Sequence, residues 1–277
     1  MIDIFSIAAK NNDAALQLCA DSITSLPETT AEKAKEFANW VETSALISIN
    51  LRLYVIVELL QGSPYRNMHE WAGEQSALSA RPKDEILRER LGRFYEKRMA
   101  FDSAFEDGEH FRYGALNAGG LGLQVYAPYC AVLGSDFHQN LSRCVCLPGD
   151  SLELCYSGTS GFGIAAVRQS TVSYSHMHWL VTHNRIKEID PTPRTEWPQL
   201  LISTDSKRYF EVIFIGDIGL KVLKCVRVKA DEYQKMWELA FANFGRSLPE
   251  ADRAWVQDFV QLVRAHKDGK MQIEVIT

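Results

Sequence analysis

One carboxylate interrupts a strongly apolar stretch in the second half of the chain. Glu211 lies within residues 208–216, whose branched and aromatic composition is typical of a strand. Alternation along that strand would place Tyr209, Glu211 and Ile213 on one face. Burying a carboxylate without a partner is costly. Glu211 is therefore a reacting group, a residue at a strand edge or facing solvent, or the partner of an arginine in the core.

A second candidate for chemistry begins at Arg112. A short strand leads into a turn rich in asparagine and glycine at 117–122, and a second apolar strand follows at 129–133. Glycines allow backbone amides to approach an anion closely, and an arginine offers a planar charged group to a phosphate. The glycines are too closely spaced for the Rossmann dinucleotide-binding pattern. The segment is either a phosphate-binding turn or a hairpin with a flexible turn.

Histidines provide a third candidate. In a strand predicted over 174–181, His176 and His178 would share one face, and His183 or a carboxylate would complete a metal-binding set as in cupin-like oxygenases. The alternative is that these are ordinary hydrogen-bonded strand residues. The pair Cys144 and Cys146 lacks two further ligands nearby, so we expect no metal site there.

Arginine, serine and glutamate follow one another along the chain, each beside a predicted strand, at Arg112, Ser151 and Glu211. This order resembles the arginine-serine-glutamate plan of ADP-ribosyltransferases. The segments 112–117, 126–133, 148–151 and 210–216 are similar to a divergent bacterial branch of that family. Its relatives include type III secreted effectors that ADP-ribosylate ubiquitin on threonine. The resemblance covers about residues 110 to 220.

The resemblance implies that NAD is a substrate rather than a redox carrier. Glu211 would be the catalytic residue, because a fixed carboxylate stabilises the positive ribose of the transition state more than the ground state. The resemblance also implies residues that bind NAD or orient Glu211. Arg112 would hold the pyrophosphate or the adenosine-side ribose. The nicotinamide end would be lined by Tyr113, Gly114 and Asn117, and Asp150 and Ser151 would orient the ribose or Glu211 itself.

The resemblance also suggests the acceptor. Many arginine-modifying relatives carry a second Glu or Gln two positions before the catalytic glutamate, where this chain has Tyr209. We therefore expect a hydroxyl acceptor, with a threonine of host ubiquitin as the first candidate, so that ubiquitin signalling would be blocked. Glu211 or one of the three histidines would accept the proton. Alternatives are an NAD glycohydrolase, a cupin-like metal enzyme and a non-catalytic interaction protein on the same scaffold.

The elements that must position these residues fall into two predicted parts. Residues 1–105 read as an α-helical lobe for acceptor recognition, and residues 106–277 as a strand-rich catalytic domain, which together give an α+β fold with the lobe packed on the domain.

Within the first part, the predicted helices run from the capping box at 29–32 to Gly62, over 68–79, and onward from Pro82. The third helix has a charged face, predicted to be solvated and linked by ion pairs at three- and four-residue spacing, and the alternative is a basic surface that binds a partner. Its basic residues are Arg88, Arg90, Arg93, Lys97 and Arg98.

In the second part, further strands are predicted at 142–147, 199–203, 209–215 and 221–228, with turns at 156–163 and 204–207. Helices are predicted over 230–243 and from the signature at 247–250 to Gly269.

Composition limits the classes of function. The chain has 277 residues, 46% of them hydrophobic, and a net charge of -5, which argues against a general nucleic-acid binder. Its most apolar run, 45–60, is interrupted by polar residues and is shorter than the ~20 residues of a bilayer span, so no membrane partner is expected.

Residues 1–6 lack an export signal, and delivery to a host cytoplasm by a type III system is implied by the resemblance alone. The six cysteines are expected to be reduced.

Overall fold

The computed structural model describes residues 1–139, 142–156, 161–203, 208–242 and 250–277. Its α-helices are α1 (Ile4–Thr24), α2 (Glu28–Ser44), α3 (Leu53–Leu60), α4 (Met68–Ser79), α5 (Lys83–Leu91), α6 (Tyr95–Ala104), α7 (Ser135–Gln139), α8 (Ser151–Tyr156), α9 (Ala165–Ser170), α10 (Met177–Ile189), α11 (Trp197–Leu201), α12 (Ala230–Ala242) and α13 (Glu250–Lys267). Its strands are β1 (Leu46–Leu51), β2 (Arg112–Asn117), β3 (Tyr129–Leu133), β4 (Cys144–Leu147), β5 (Val172–Ser173), β6 (Ile202–Ser203), β7 (Arg208–Tyr209), β8 (Glu211–Phe214), β9 (Leu223–Lys229) and β10 (Ile273–Ile276). Helices and strands together make the chain a mixed α/β protein, as expected at that coarse level.

The chain forms two compact units. Unit 1 comprises Met1–Ala45, Arg66–Leu116 and Leu141–Gly216, and unit 2 comprises Leu46–Tyr65, Asn117–Asn140 and Asp217–Thr277. Both units draw on residues from before and after position 105.

Unit 1 contains the antiparallel strands β2, β8, β4 and β5, in that order. Strand β8 lies between β2 and β4, and Glu211 at its start is opposite Ala115 of β2 and Leu147 of β4. The strand that carries Glu211 is therefore an inner strand, with neighbours on both sides.

One face of this sheet is covered by α1 and α6. Its apolar cluster consists of Ile4, Ala8, Phe101, Phe105, Phe111, Val145, Leu147, Cys155, Val167 and Ile213. Ile213 of β8 belongs to this cluster, and it lies on the same sheet face as Glu211, two positions earlier. The Glu211 side chain therefore points to the face that α1 and α6 cover.

Unit 2 contains strands β1, β3, β9 and β10, in that order. The first three are antiparallel, and β10 runs parallel to β9. Helices α12 and α13 belong to this unit, and α13 ends before Gly269, whose φ of 69° is the left-handed conformation that favours glycine after a helix.

Several sequence predictions are confirmed. Helix α4 spans the predicted residues 68–79, and α12 covers nearly all of 230–243. Strands β3, β4, β8 and β9 fall within or close to the predicted segments. The expected turns at 157–160 and 204–207, and the helix signature at 247–249, lie outside the described residues.

The long helix predicted from 29 to 61 is wrong. Helix α2 ends at Ser44, strand β1 follows, and α3 begins at Leu53. Strand β1 pairs with β3, so its residues gain a cross-strand neighbour that helical periodicity does not reveal.

The strand predicted over 174–181 is also wrong. Residues 174–176 form a 3-10 turn, and α10 begins at Met177. The buried positions Met177, Val181, Arg185 and Ile189 recur every four residues, a helical period that the aromatic and branched composition concealed. The strand predicted at 199–203 is mostly α11, and only Ile202 and Ser203 are extended.

No helix in the described part of the chain is long and apolar enough to span a bilayer.

Candidate active site

Glu211 is buried, with 3% of its surface exposed. Its Oε2 accepts a hydrogen bond of 2.9 Å from the backbone amide of Ser151, the first residue of α8. Strand β4 ends at Leu147, which pairs with Glu211, and the turn that follows brings Ser151 back over the carboxylate. The serine and glutamate expected to act together are therefore in direct contact.

The pKa of Glu211 is raised to about 7, first by burial and second by the nearby Asp150 charge. Arg98 and the backbone amide of Ser151 act in the opposite direction, because they stabilise the carboxylate. Near neutral pH, Glu211 therefore exchanges between its protonated and ionised forms.

Asp150 organises the turn before α8. Its Oδ1 accepts the amides of Leu152 and Glu153 at 2.8 and 3.3 Å, the pattern of a residue that caps a helix start. Its Oδ2 accepts a hydrogen bond of 2.9 Å from the hydroxyl of Tyr209. Tyr209 and Glu211, two positions apart, therefore hold the two consecutive residues Asp150 and Ser151.

Tyr113 joins this group from β2. It lies opposite Ile213 of β8, on the same sheet face as Glu211, and its hydroxyl donates to Asp102 Oδ1 at 2.5 Å. Asp102, in α6, also contacts His69 Nε2 at 2.8 Å through its other oxygen. We call Arg98, Asp102, Tyr113, Asp150, Ser151, Tyr209 and Glu211 the buried polar cluster.

Arg98 was predicted on a solvated helix face, and that prediction is wrong. Only 12% of its side chain is exposed, and its guanidinium lies 3.9 Å from the centre of the Tyr113 ring. The other basic residues of that face are exposed. Arg88 forms an ion pair with Asp84 at the expected four-residue spacing, and a second pair with Glu96 of α6, which the spacing did not predict. Neither Arg98 nor Asp102 was proposed from the sequence as a site residue. Their i, i+4 spacing around the apolar Phe101 was the available signal.

Arg112 lies elsewhere. Because it is opposite Phe214 in the register, its side chain leaves the sheet on the face opposite to Glu211. Its guanidinium is buried and contacts both carboxylate oxygens of Glu70 at 3.0 and 3.1 Å. The structure thus does not bring Arg112 together with Glu211, and the arginine already has an anionic partner within the chain.

The glycine-rich turn after β2 belongs to unit 2 and is held by asparagines. Asn117 both accepts from and donates to the Gly120 backbone at 2.9 Å. Asn50 donates to the carbonyls of Leu121 and Ala127 and accepts the amide of Leu123. The amides of Gly120 and Leu123 are thus bonded within the turn, and Asn117 acts there as a structural residue.

Gly114 and two members of the buried polar cluster reach the surface. Tyr113, Gly114 and Asp150 are each partly exposed, whereas Ser151 and Glu211 are buried. A groove of about 370 Å³ is present on α4 and α5, lined by residues such as Trp71, Ile86 and Arg90, and no member of the cluster lines it. Glu211 itself is therefore covered, and the partly exposed residues nearest to it are Tyr113 and Asp150.

The histidines of the metal hypothesis do not share a strand face, because His178 lies within α10. His176 contacts Ser175, His183 contacts Ser22 on α1 at 2.9 Å, and burial lowers the pKa of His178. Among the described residues, no group of three or more His, Cys, Asp or Glu side chains is arranged to hold a metal ion. The six cysteines are all free and buried.

Chemically, the buried polar cluster presents a carboxylate of raised pKa held by a backbone amide, beside a second carboxylate and an arginine. Such a group can stabilise a developing positive charge or accept a proton. No protein-family model matches the chain, and no curated protein matches it significantly.

Proposed function

We propose that this protein is a mono-ADP-ribosyltransferase that transfers ADP-ribose from NAD to a hydroxyl group of another protein. The observation that carries the proposal is the 2.9 Å hydrogen bond from the Ser151 amide to the Glu211 carboxylate. It joins Ser151, at the start of the helix that follows β4, to Glu211 on the neighbouring strand β8.

In this reaction the bond between nicotinamide and C1′ of the ribose breaks, and nicotinamide leaves with the electron pair. The ribose then carries positive charge, which the Glu211 carboxylate stabilises more strongly in the transition state than in bound NAD. The acceptor oxygen forms the new bond to C1′, and its proton passes to a base or to water. Ser151 and Asp150 hold the carboxylate and its turn, and Tyr113 contacts the nicotinamide end from β2.

The acceptor is a hydroxyl because Tyr209 occupies the position where arginine-modifying relatives carry a second carboxylate or amide. Its hydroxyl is committed to Asp150 at 2.9 Å, so it offers no charge to a guanidinium. A threonine of ubiquitin in a host cell is the acceptor we propose to test first, for a bacterial effector delivered by a type III system. That part of the proposal comes from the sequence resemblance.

The experiment is mass spectrometry of ubiquitin, and separately of a host-cell lysate, after incubation with NAD and the purified protein. We expect a protein to gain the mass of one ADP-ribosyl group, and fragmentation to place it on a threonine. Glu211→Gln should abolish the addition. Glu153→Gln is the matched control, because Glu153 is an exposed residue of the neighbouring helix α8.

Hydrolysis is the nearest alternative outcome. If NAD is converted to free ADP-ribose in a Glu211-dependent manner and no protein gains mass, water is the acceptor and the protein is an NAD glycohydrolase.

A second candidate is a non-catalytic interaction protein on the same scaffold. Two observations favour it: Glu211 is 3% exposed, and Arg112 is paired with Glu70 on the other sheet face. The polar cluster would then be part of the core. Intact NAD in every reaction, together with an unchanged cellular effect of Glu211→Gln, would support this candidate and reject the transferase.

A further inference from the structure

Arg98 is the positively charged member of the buried polar cluster that contains Glu211. Its guanidinium stacks on Tyr113, and its Nη1 is 3.9 Å from Asp102 Oδ1. That nitrogen is buried and forms no hydrogen bond within the described residues. The guanidinium is thus held by a ring and a carboxylate, and both N–H groups of Nη1 lack an acceptor among the described residues.

The geometry points this cation toward Glu211. Tyr113, which carries the guanidinium on its ring, lies diagonally across from Glu211 on the same face of adjacent strands, through the pairs Tyr113–Ile213 and Ala115–Glu211. Helix α6 packs on this face through Phe101, next to Ile213. Arg98 therefore enters from the helix layer above the carboxylate, while Ser151 approaches from the end of β4.

Charged and titratable groups interact with Glu211 from the elements around it. They are Arg98 of α6, with Asp102 beside it, Tyr113 of β2, Asp150 just before α8 and Cys155 within α8. Cys146 of β4 interacts with the carboxylate from the other face of the sheet, because it pairs with Val212. Burial alone would lower the pKa of Arg98, but Tyr113, Asp102, Glu211 and Asp150 outweigh it, so the net pKa of Arg98 is raised. Arg98 thus stays charged, and it opposes both the burial of Glu211 and the repulsion from Asp150.

We propose that Arg98 is the positioning residue of this site, supplying the positive charge that holds the Glu211 side chain as a carboxylate directed at the reacting ribose. The role toward the ribose rests on the proposed function. The role toward the carboxylate does not depend on it.

The test is a titration of Glu211 by infrared spectroscopy of the full-length protein without NAD. The C=O stretch of the protonated carboxyl is followed against pH, and subtraction of the Glu211→Gln spectrum assigns it. Arg98→Gln should raise the midpoint by roughly one pH unit or more, a tenfold gain in proton affinity. Arg98→Lys keeps the charge and should leave the midpoint close to that of the native protein.

Arg93→Gln is the matched control, because Arg93 is an exposed arginine just before α6 and should leave the midpoint unchanged. If Arg98→Gln does not fold, Arg98→Met, of similar length and without charge, replaces it. An unchanged midpoint in a folded neutral variant would overturn the proposal. So would an Arg98→Lys midpoint raised as far as that of the neutral variant.

The same variants separate this inference from the transferase proposal. If the midpoint rises in Arg98→Gln but the native protein leaves NAD intact, Arg98 controls the carboxylate and the proposed reaction is wrong. If the native protein cleaves NAD and the midpoint does not move, the reaction stands and the role of Arg98 is rejected.

Discussion

At Glu211, burial and the Asp150 charge favour the protonated acid, while Arg98 and Ser151 favour the carboxylate. The balance leaves a pKa of about 7, against an ordinary value of 4.5. A carboxyl group with a pKa near neutrality is uncommon outside functional sites, although ion-pair networks in a core also produce it. Two consequences of this pKa can be measured separately.

The first consequence is for stability. The unfolded chain releases the Glu211 proton near pH 4.5, whereas the folded protein keeps it until about pH 7. Between these values the folded state binds more protons, so its free energy of unfolding falls as the pH rises. Glu211→Gln removes this term, and its stability relative to the native protein should rise by about 2 to 3 kcal/mol from pH 5 to pH 8.

Urea denaturation of both proteins at the two pH values measures this change, with Glu153→Gln as the control. Parallel pH profiles for the native protein and Glu211→Gln would contradict the raised pKa.

The second consequence is for turnover. Only the ionised form of Glu211 can stabilise the positive ribose, so the rate of NAD cleavage should rise with pH through about 7 and then level off. The rate of nicotinamide release between pH 5 and 9, at NAD concentrations well below saturation, tests this, because it reports the pKa of the protein without bound NAD. A rate that is constant across pH 7 would show that Glu211 does not titrate in the rate-determining step.

The sequence was informative for Glu211 and not for Arg98. A lone carboxylate in an apolar strand is conspicuous, because few arrangements tolerate it. An arginine on a helix with many charged residues looks like part of a solvated face. Its burial depends on how α6 packs against Tyr113, which is a tertiary property. The contact of Arg112 was not readable either, since its partner Glu70 lies 42 positions earlier in the chain.

At the scale of the elements, helix α4 begins with a capping box. The Asn67 side chain accepts hydrogen bonds of 2.9 Å from the backbone amides of His69 and Glu70, and the Glu70 carboxylate accepts one of 2.8 Å from the backbone amide of Asn67. The same two residues contact the sheet region, His69 through Asp102 and Glu70 through Arg112.

Asn67→Ala should therefore lower the free energy of unfolding by about 1 to 2 kcal/mol, because a cap is lost and the Glu109 carbonyl loses its 2.9 Å donor. Chemical denaturation measures the loss. Asn39→Ala, at an exposed position within α2, is the control and should change stability by less than about 0.5 kcal/mol. Equal effects of the two substitutions would mean that the capping box does not stabilise α4.

The turn between β2 and β3 depends on Gly122. Its φ is 65°, and a Cβ atom there would lie 2.2 Å from Asn50 Oδ1, the atom that accepts the Leu123 amide. Gly122→Ala should destabilise the protein by about 1 to 3 kcal/mol through strain and displacement of Asn50.

Gly73→Ala is a control that should change the free energy of unfolding in the opposite direction. Gly73 lies within α4 with open space around it, so alanine should stabilise the protein by about 0.5 to 1 kcal/mol. Thermal unfolding of the two variants makes the comparison, and a neutral Gly122→Ala would show that the asparagines do not hold this turn as described.

Element types were predictable where local signals agreed. The cap and length of α4 were readable because capping residues and periodicity coincide. In 174–181 the composition suggested a strand while the burial period was helical, and the period prevailed. In 29–61 the spacing continued across a strand, so periodicity alone gave a helix where β1 forms.

For the whole molecule, the arrangement of the chain was the least predictable property. The residue composition along the chain suggested a change from helices to strands near residue 105. Each compact unit is instead assembled from three separate segments of the chain. Long-range strand pairing, such as β1 with β3, determines this assembly, and it leaves no local signal. The candidate site was partly predictable, since Tyr113, Asp150, Ser151 and Glu211 do meet, whereas Arg112 and Asn117 form other contacts.

The proposed role of Glu211 in cleaving NAD is tested by nicotinamide release from NAD by the native protein, Glu211→Gln and Glu153→Gln, each with its NAD affinity determined by calorimetry. We expect Glu211→Gln to lower turnover by roughly a hundredfold or more while NAD still binds, and Glu153→Gln to behave as the native protein does. Equal turnover by all three proteins, or no cleavage by the folded native protein, would contradict that role.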